Sequence, residues 1–171
     1  MKIKTPRDCS RDELLELLND AAKNWLAHDG LWFQAVEKEC GLDTAIKFDV
    51  SAWEKFSVIE AERIMKRLNI PPNGGIPALI QALNFRLYAY INKQEVVEVS
   101  DKRCVFRMVE CRVQETRKRK NLPAFHCKPV GITEYTNFAK TIDPRIQTKC
   151  ITCPPDIPQG NYWCAWEFAM K

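Results

Sequence analysis

The spacing of apolar residues changes once along this chain, near Asn92, and that change restricts the fold more than any single motif. Before Asn92 apolar side chains recur every three or four residues, and after it they alternate. Ser10 and Glu13 form a capping-box pattern, and Leu14, Leu15, Leu17, Leu18, Ala21, Ala22 and Trp25 follow at helical spacing. The pattern continues past Gly30 through Leu31, Trp32, Ala35 and Val36 to a stop at Gly41. One long helix is expected there, or two with a break near Gly30. A short helical turn over Asp43 to Phe48 is expected next. It precedes a helix capped by Asp49 or Ser51, with Trp53, Phe56, Ile59, Ile64 and Leu68 inward. Pro71-Pro72-Asn73-Gly74-Gly75 ends that run, and a further helix covers about Pro77 to Ile91 with Leu79, Ile80, Leu83, Leu87 and Tyr90 inward.

Beyond Asn92, Glu95 to Val99 and Arg103 to Val113 read as two strands of a hairpin joined at Ser100-Asp101-Lys102. Gln114 to Lys120 suits one or two helical turns. Thr133 can cap a helix that ends near Ile142, where Asp143-Pro144 stops it. Ile146 to Cys153 and Tyr162 to Met170 complete the strands. In the last of these, Tyr162, Cys164, Trp166, Phe168 and Met170 share one face. Helices followed by strands imply an α+β protein, with N-terminal helices packed on a four-stranded antiparallel sheet. The 171 residues suit a single domain, mainly helical over 1–92 and cysteine-rich over 93–171.

No segment has the roughly 18 apolar residues that a bilayer span needs, and the start, MKIKTPRDCS, has no apolar stretch that could serve as a signal peptide. Both point to the cytoplasm and away from a membrane partner. The eight cysteines take their meaning from that setting: two lie in the first 100 residues and six in the last 71. In a reducing compartment, close cysteine spacing means metal or redox chemistry before it means disulfides.

Cys150-Ile-Thr-Cys153 is the sharpest motif, because two thiolates separated by two residues can grip one ion from a single turn. Cys111, Cys127 and Cys164 are the candidates for further metal ligands, and spacing does not choose between zinc and an iron–sulfur cluster. The alternatives are a redox pair or small buried hydrophobes. A thioredoxin-type site is disfavoured, because Pro154-Pro155 follows at once and a loop suits two prolines better than a helix start. Cys9 and Cys40 are treated as structural. With two histidines in the chain, a histidine-rich metal site is excluded, and H-E-x-x-H, G-x-S-x-G and glycine-rich phosphate loops are missing.

Asp29, between Trp25 and Trp32, could bind a ligand or act as a general base, or could simply cap a helix break. Residues 101–130 hold nine basic and three acidic side chains. The run Arg112, Arg117, Lys118, Arg119, Lys120 and Lys128 could therefore meet an anion or nucleic acid. No aromatics are interleaved to stack bases, so a solvated basic helix is the plainer reading and a nucleic-acid partner is not expected. Arg112 beside Cys111 could point into a pocket, with Gln114 nearby. Trp25, Asp29, Trp32, Arg112 and Gln114 are thus the candidate ligand-binding residues, and a homodimer is possible.

The stretches NWLAHDGLWF (Asn24–Phe33), CRVQETRKRK (Cys111–Lys120), FHCKPVGITEY (Phe125–Tyr135), FAKTIDPRI (Phe138–Ile146), CITCPPD (Cys150–Asp156) and WCAWEF (Trp163–Phe168) resemble a family of short prokaryotic cytosolic proteins of unassigned function. More distantly, the order of helices, hairpin and late cysteines is similar to L-2-amino-thiazoline-4-carboxylic acid hydrolase-like proteins. It is also similar to 4-vinyl reductase-type ligand-binding domains, which share a superfamily with haem nitric-oxide sensors and vesicle-tethering subunits. The resemblance implies a pocket between helices and a four-stranded antiparallel sheet. Fold does not transmit chemistry, so no catalytic role is carried over. The functional expectation is a metal- or small-ligand-binding domain, with a hydrolase of small heterocyclic amino-acid derivatives as the alternative. A nucleic-acid-associated protein using segment 112–128 comes third.

Overall fold

A computed structural model describes residues 4–157 and 160–171. Five helices precede, interrupt and cover one sheet: α1 (Arg11–Cys40), α2 (Leu42–Leu68), α3 (Gly75–Leu83), β1 (Lys93–Val97), β2 (Arg103–Glu110), α4 (Arg112–Arg119), α5 (Lys128–Ile142), β3 (Ile146–Thr152) and β4 (Cys164–Met170). The sheet order is β1-β2-β4-β3 and every pairing is antiparallel, so the α+β expectation holds.

The Ser10–Glu13 capping box forms as its spacing implies, with Glu13 N–H donating to Ser10 Oγ at 3.2 Å. Of the two forms expected for the first run, the single long helix is the one that forms: Gly30 does not break α1, which runs unbroken to Gly41, where a φ of 82° turns the chain into α2. Other boundaries differ from expectation. α2 is one helix from Leu42, with Asp49 and Ser51 inside it. Asp49 accepts a hydrogen bond from the Trp53 side chain one turn on, which makes it an interior partner and not a cap. Ile59 is 41 % exposed, not inward. The helix expected over 77–91 ends at Leu83, and only a 3₁₀ turn over Leu87–Tyr90 continues it. α5 starts five residues before Thr133, with Pro129 in its first turn.

The main core lies between α5, α3 and the sheet, where Phe138, Ile142, Phe106, Trp166 and Phe168 are fully buried. α5 approaches the sheet closely at Gly131, where an added Cβ would stand 2.6 Å from Cζ2 of the Trp166 ring. A second cluster gathers Trp53, Phe125 and Val130, with Trp25, Phe33 and Phe56 beside them. Between α2 and α5 a buried arginine joins the layers: Arg86 Nε donates to Glu60 Oε2 at 2.8 Å, and Arg86 Nη1 stands 2.7 Å from Glu134 Oε1. Its guanidinium also sits 4.6 Å from the Phe138 ring centroid. At the end of α5, buried Asp143 binds Arg145 at 2.7 Å and the Gly75 N–H at 3.0 Å. Those bonds hold its carboxyl down at about 2. No helix among the described residues is long and apolar enough to cross a membrane.

Candidate functional site

A cavity of about 370 Å³ opens between α1, α2, α4 and α5 and reaches the first residue of β4. Its position follows from helical spacing. Leu26, Asp29, Gly30 and Phe33 line it from α1, Asp49 and Trp53 from α2, and Val130, Gly131 and Glu134 from α5 with Cys127 just ahead of them. Each set recurs at three or four, so each lies on one helix face. α4 closes the side. Arg117 donates to both oxygens of Glu37 on α1 at 2.7 and 2.8 Å and to the Pro123 carbonyl at 2.6 Å. These bonds hold the Glu37 carboxyl below its ordinary range.

Three carboxyl groups face this space. Burial pushes Asp49 up to about 7, and the neighbouring Asp29 and Glu134 charges add to the rise. Asp29 is raised by burial. Glu134 is raised as well, because burial outweighs the nearby Arg86 cation. Glu134 Oε1 stands in an ion pair 2.7 Å from Arg86 Nη1. Trp166 Nε1, buried on the cavity lining, has no hydrogen-bond partner among the described residues.

Thiols share the same space. Cys127 Sγ and Cys153 Sγ are 3.6 Å apart, and Cys164 is within hydrogen-bonding reach of Cys153. Local bonds explain the approach of segments 26 residues apart. The Lys128 N–H at the start of α5 donates to the Pro154 carbonyl at 3.0 Å. The Lys128 ammonium contacts Asp156 at 2.8 Å, and the Asp156 N–H returns to the Cys153 carbonyl at 2.9 Å. The loop after β3 is thereby tied to the helix start. Gln114, 2 % exposed, clamps the Phe125 peptide from both sides at 2.7 and 3.1 Å, and its Nε2 lies 3.6 Å from Cys127 Sγ. Hydrogen bonds from Cys153 and Gln114 lower the Cys127 thiol. Its two thiol neighbours raise Cys153 instead. Burial drives Cys111 up to about 12.

The ten candidate residues therefore separate. Asp29, Arg112, Gln114, Cys111, Cys127, Cys153 and Cys164 all line one cavity. Trp25 stands behind the wall, stacked on Phe56 at 5.8 Å and edge-on to Tyr88 at 5.3 Å. Trp32 is 64 % exposed and off the cavity, and the adjacent Phe33 takes the inward place, 4.8 Å from Phe125. One residue along a helix turns the side chain by about 100°, which is enough to exchange the two. Cys150 also falls outside. It sits in β3 opposite Trp166, whereas Cys153 lies past the strand end. A C-x-x-C closes on one point when it forms a turn, but this one straddles a strand terminus. Among the described residues, no group of three or more His, Cys, Asp or Glu side chains has the arrangement of a metal centre.

Asp49, Glu134, Trp53, Tyr88 and Phe125 also line the cavity and were not among the candidates. The signal for them was present: Cys127, Gly131 and Glu134 fall at i, i+4 and i+7, and Asp49 and Trp53 at i and i+4. The basic run is partly committed to the fold. Arg117 is buried against Glu37, Lys128 is paired with Asp156, and Lys120 bonds Gln34 at 3.0 Å.

No curated protein matches the chain, and no solved structure does. The model of a family of unknown function, DUF6125, matches residues 7–170, and the chain belongs to that family.

Proposed function

We propose that this chain is a small-ligand-binding domain, and that its ligand is a compact, partly aromatic molecule bearing a cationic or hydrogen-bond-donating group. The carrying observation is one cavity that gathers Asp29, Asp49 and Glu134 with Trp53, Tyr88 and Phe125. Its volume of about 370 Å³ is in the range of small-molecule sites. Buried acids that repel one another are costly unless a partner neutralises them, and among the described residues the ion pair recorded for this group is that of Glu134 with Arg86. A bound cation relieves that repulsion, and the aromatic faces add cation–π attraction. Trp166 Nε1, buried without a hydrogen-bond partner among the described residues, is a further group a ligand could satisfy.

Calorimetric or thermal-shift screening of small amines, amidines and basic heterocycles tests this. A hit should weaken about tenfold or more in Asp29→Asn or Asp49→Asn, as expected for a lost charged contact. A panel without hits, or a hit that ignores both substitutions, would discard the proposal. Metal analysis of protein purified without oxygen decides what the thiols serve. One zinc or a brown cluster per chain assigns them to a metal, and metal-free protein that still binds assigns them to the organic ligand.

A second reading, hydrolysis of a small heterocyclic amino-acid derivative, is favoured by Asp49. A carboxyl at about 7 is matched to proton transfer near neutral pH. Turnover that falls with Asp49→Asn while ligand affinity persists would separate catalysis from binding alone.

A further inference from the structure

We infer that Cys127 and Cys153 form a dithiol that exchanges with small disulfides entering the cavity, giving the chain a thiol–disulfide activity distinct from ligand binding. The pair is not the C-x-x-C of the sequence. One member comes from the N-cap of α5 and the other from the loop after β3, with their sulfurs 3.6 Å apart. A disulfide needs about 2.05 Å between sulfurs, a closure of the kind side-chain rotation can supply. Both residues line the cavity, so the pair can be reached without unfolding. Cys127 heads a 15-residue helix, whose N-terminal dipole favours a thiolate. Gln114 points an N–H at the same sulfur from 3.6 Å. Cys153 is 1 % exposed, and a large reagent would not meet it first. That burial sets the order of events, with Cys127 attacking and Cys153 resolving.

The chemistry balances with a dialkyl disulfide as oxidant. The Cys127 thiolate attacks one sulfur of R–S–S–R, forming a Cys127–S–S–R bond and releasing R–S⁻. Cys153 gives up its proton and attacks the Cys127 sulfur, forming the Cys127–Cys153 bond and expelling the second R–S⁻. The two thiolates take up the two protons lost by the protein thiols. The protein loses two electrons and the small disulfide gains them. A monothiol in excess reverses both steps. The substrate class is fixed by the cavity volume of about 370 Å³, which suits a small disulfide and not a folded protein.

The test uses full-length reduced protein and bis(2-hydroxyethyl) disulfide. Wild type should lose the mass of two hydrogens, and peptide mapping should join Cys127 to Cys153. Cys153→Ser should stop at a stable adduct of one hydroxyethylthio group on Cys127, and Cys127→Ser should form neither product. Exchange at Cys127 should outpace exchange at exposed Cys40 by about tenfold. Cys40→Ser, at an exposed cysteine off the cavity, should still form the bond, and a thermal melt of Cys127→Ser that matches wild type guards against a variant that merely misfolds. A Cys153–Cys164 link, or a Cys153→Ser protein with unmodified Cys127, would overturn the inference. Alkylation of Cys127 by iodoacetamide reports entry to the cavity separately. Entry without exchange refutes the dithiol and spares the binding site, and no entry counts against both.

Discussion

Helices α1 and α5 differ more than their lengths suggest. α1 has 30 residues and buries two of them, Ala22 and Leu26, whereas α5 has 15 and buries seven. α5 lies between α2 and the sheet and meets both. α1 rests on α2 along part of its length and leaves Leu14, Leu15, Leu17 and Leu18 between 36 % and 50 % exposed. The cavity is the seam between these two regimes. Its thiols and Glu134 are fixed by the tightly packed side, and Asp29 and Phe33 come from the lightly packed side. The cavity thus has one tightly packed wall and one that has fewer buried contacts to resist adjustment.

The strongest way to break this division is Arg86→Met. The substitution leaves Glu60 and Glu134 buried, with the cation that links α2 to α5 removed. Losing one partner of a buried ion network costs about 3–5 kcal/mol. Chemical denaturation should show a loss of that size in one cooperative transition. A loss below about 1 kcal/mol would mean that α5 owes little to this clasp.

Gly131→Ala comes next. Its Cβ would stand 2.6 Å from the Trp166 ring, and that ring is fully buried, so it has little room to withdraw. Overpacking of this kind costs about 1–3 kcal/mol. Trp166 should report the strain as a changed fluorescence maximum. A neutral effect would show that α5 can slide, which would erase the contrast with α1.

Asp49→Asn should act in the opposite direction and only above acid pH. The folded-state value of about 7 lies above that of an unfolded aspartate, about 3.9. The folded protein therefore holds a proton that the unfolded chain releases. Stability falls as pH rises from about 4 to about 7 and is level above that. Asparagine removes the charge, so the variant should gain about 1–2 kcal/mol at pH 8 and almost nothing at pH 4. Denaturation midpoints at the two pH values measure it. An equal effect at both would mean Asp49 is not held protonated.

What could be read from residues alone follows the reach of the forces involved. The order of helices and strands rests on local spacing, caps and turn residues, and those survive into the structure. The Asp49 and Ser51 cap was misread because a polar residue inside a helix looks like a start until its burial is known. Asp49 is turned toward Trp53 and two other acids that lie 20 and 85 residues away. Glu134 was missed for the same reason, since its ion-pair partner Arg86 is on a distant loop. Cys127 and Cys153 were both visible as candidates, but their meeting depends on the Lys128–Asp156 and Lys128–Pro154 bonds, which no spacing encodes. Aromatic residues at 32 and 33 are legible in the sequence, but the phase of the α1 face, which turns Phe33 inward and Trp32 outward, is not.

The smallest effect belongs to the exposed end of α1. Leu14→Gln and Leu17→Gln keep nearly the same helix propensity, so they change only the apolar surface. With Leu14 45 % and Leu17 50 % exposed, little is buried to lose, and each should shift stability by less than about 0.5 kcal/mol. The measurement sharpens the comparison through its concentration dependence. If the double variant matches wild type at every protein concentration, α1 is a light cover on the cavity and nothing more. If the variant is weaker only at high concentration, the leucine face is covered by a second copy of the chain, because only an association term grows with concentration. In that case α1 would be as well buried as α5, and the asymmetry would belong to the monomer alone.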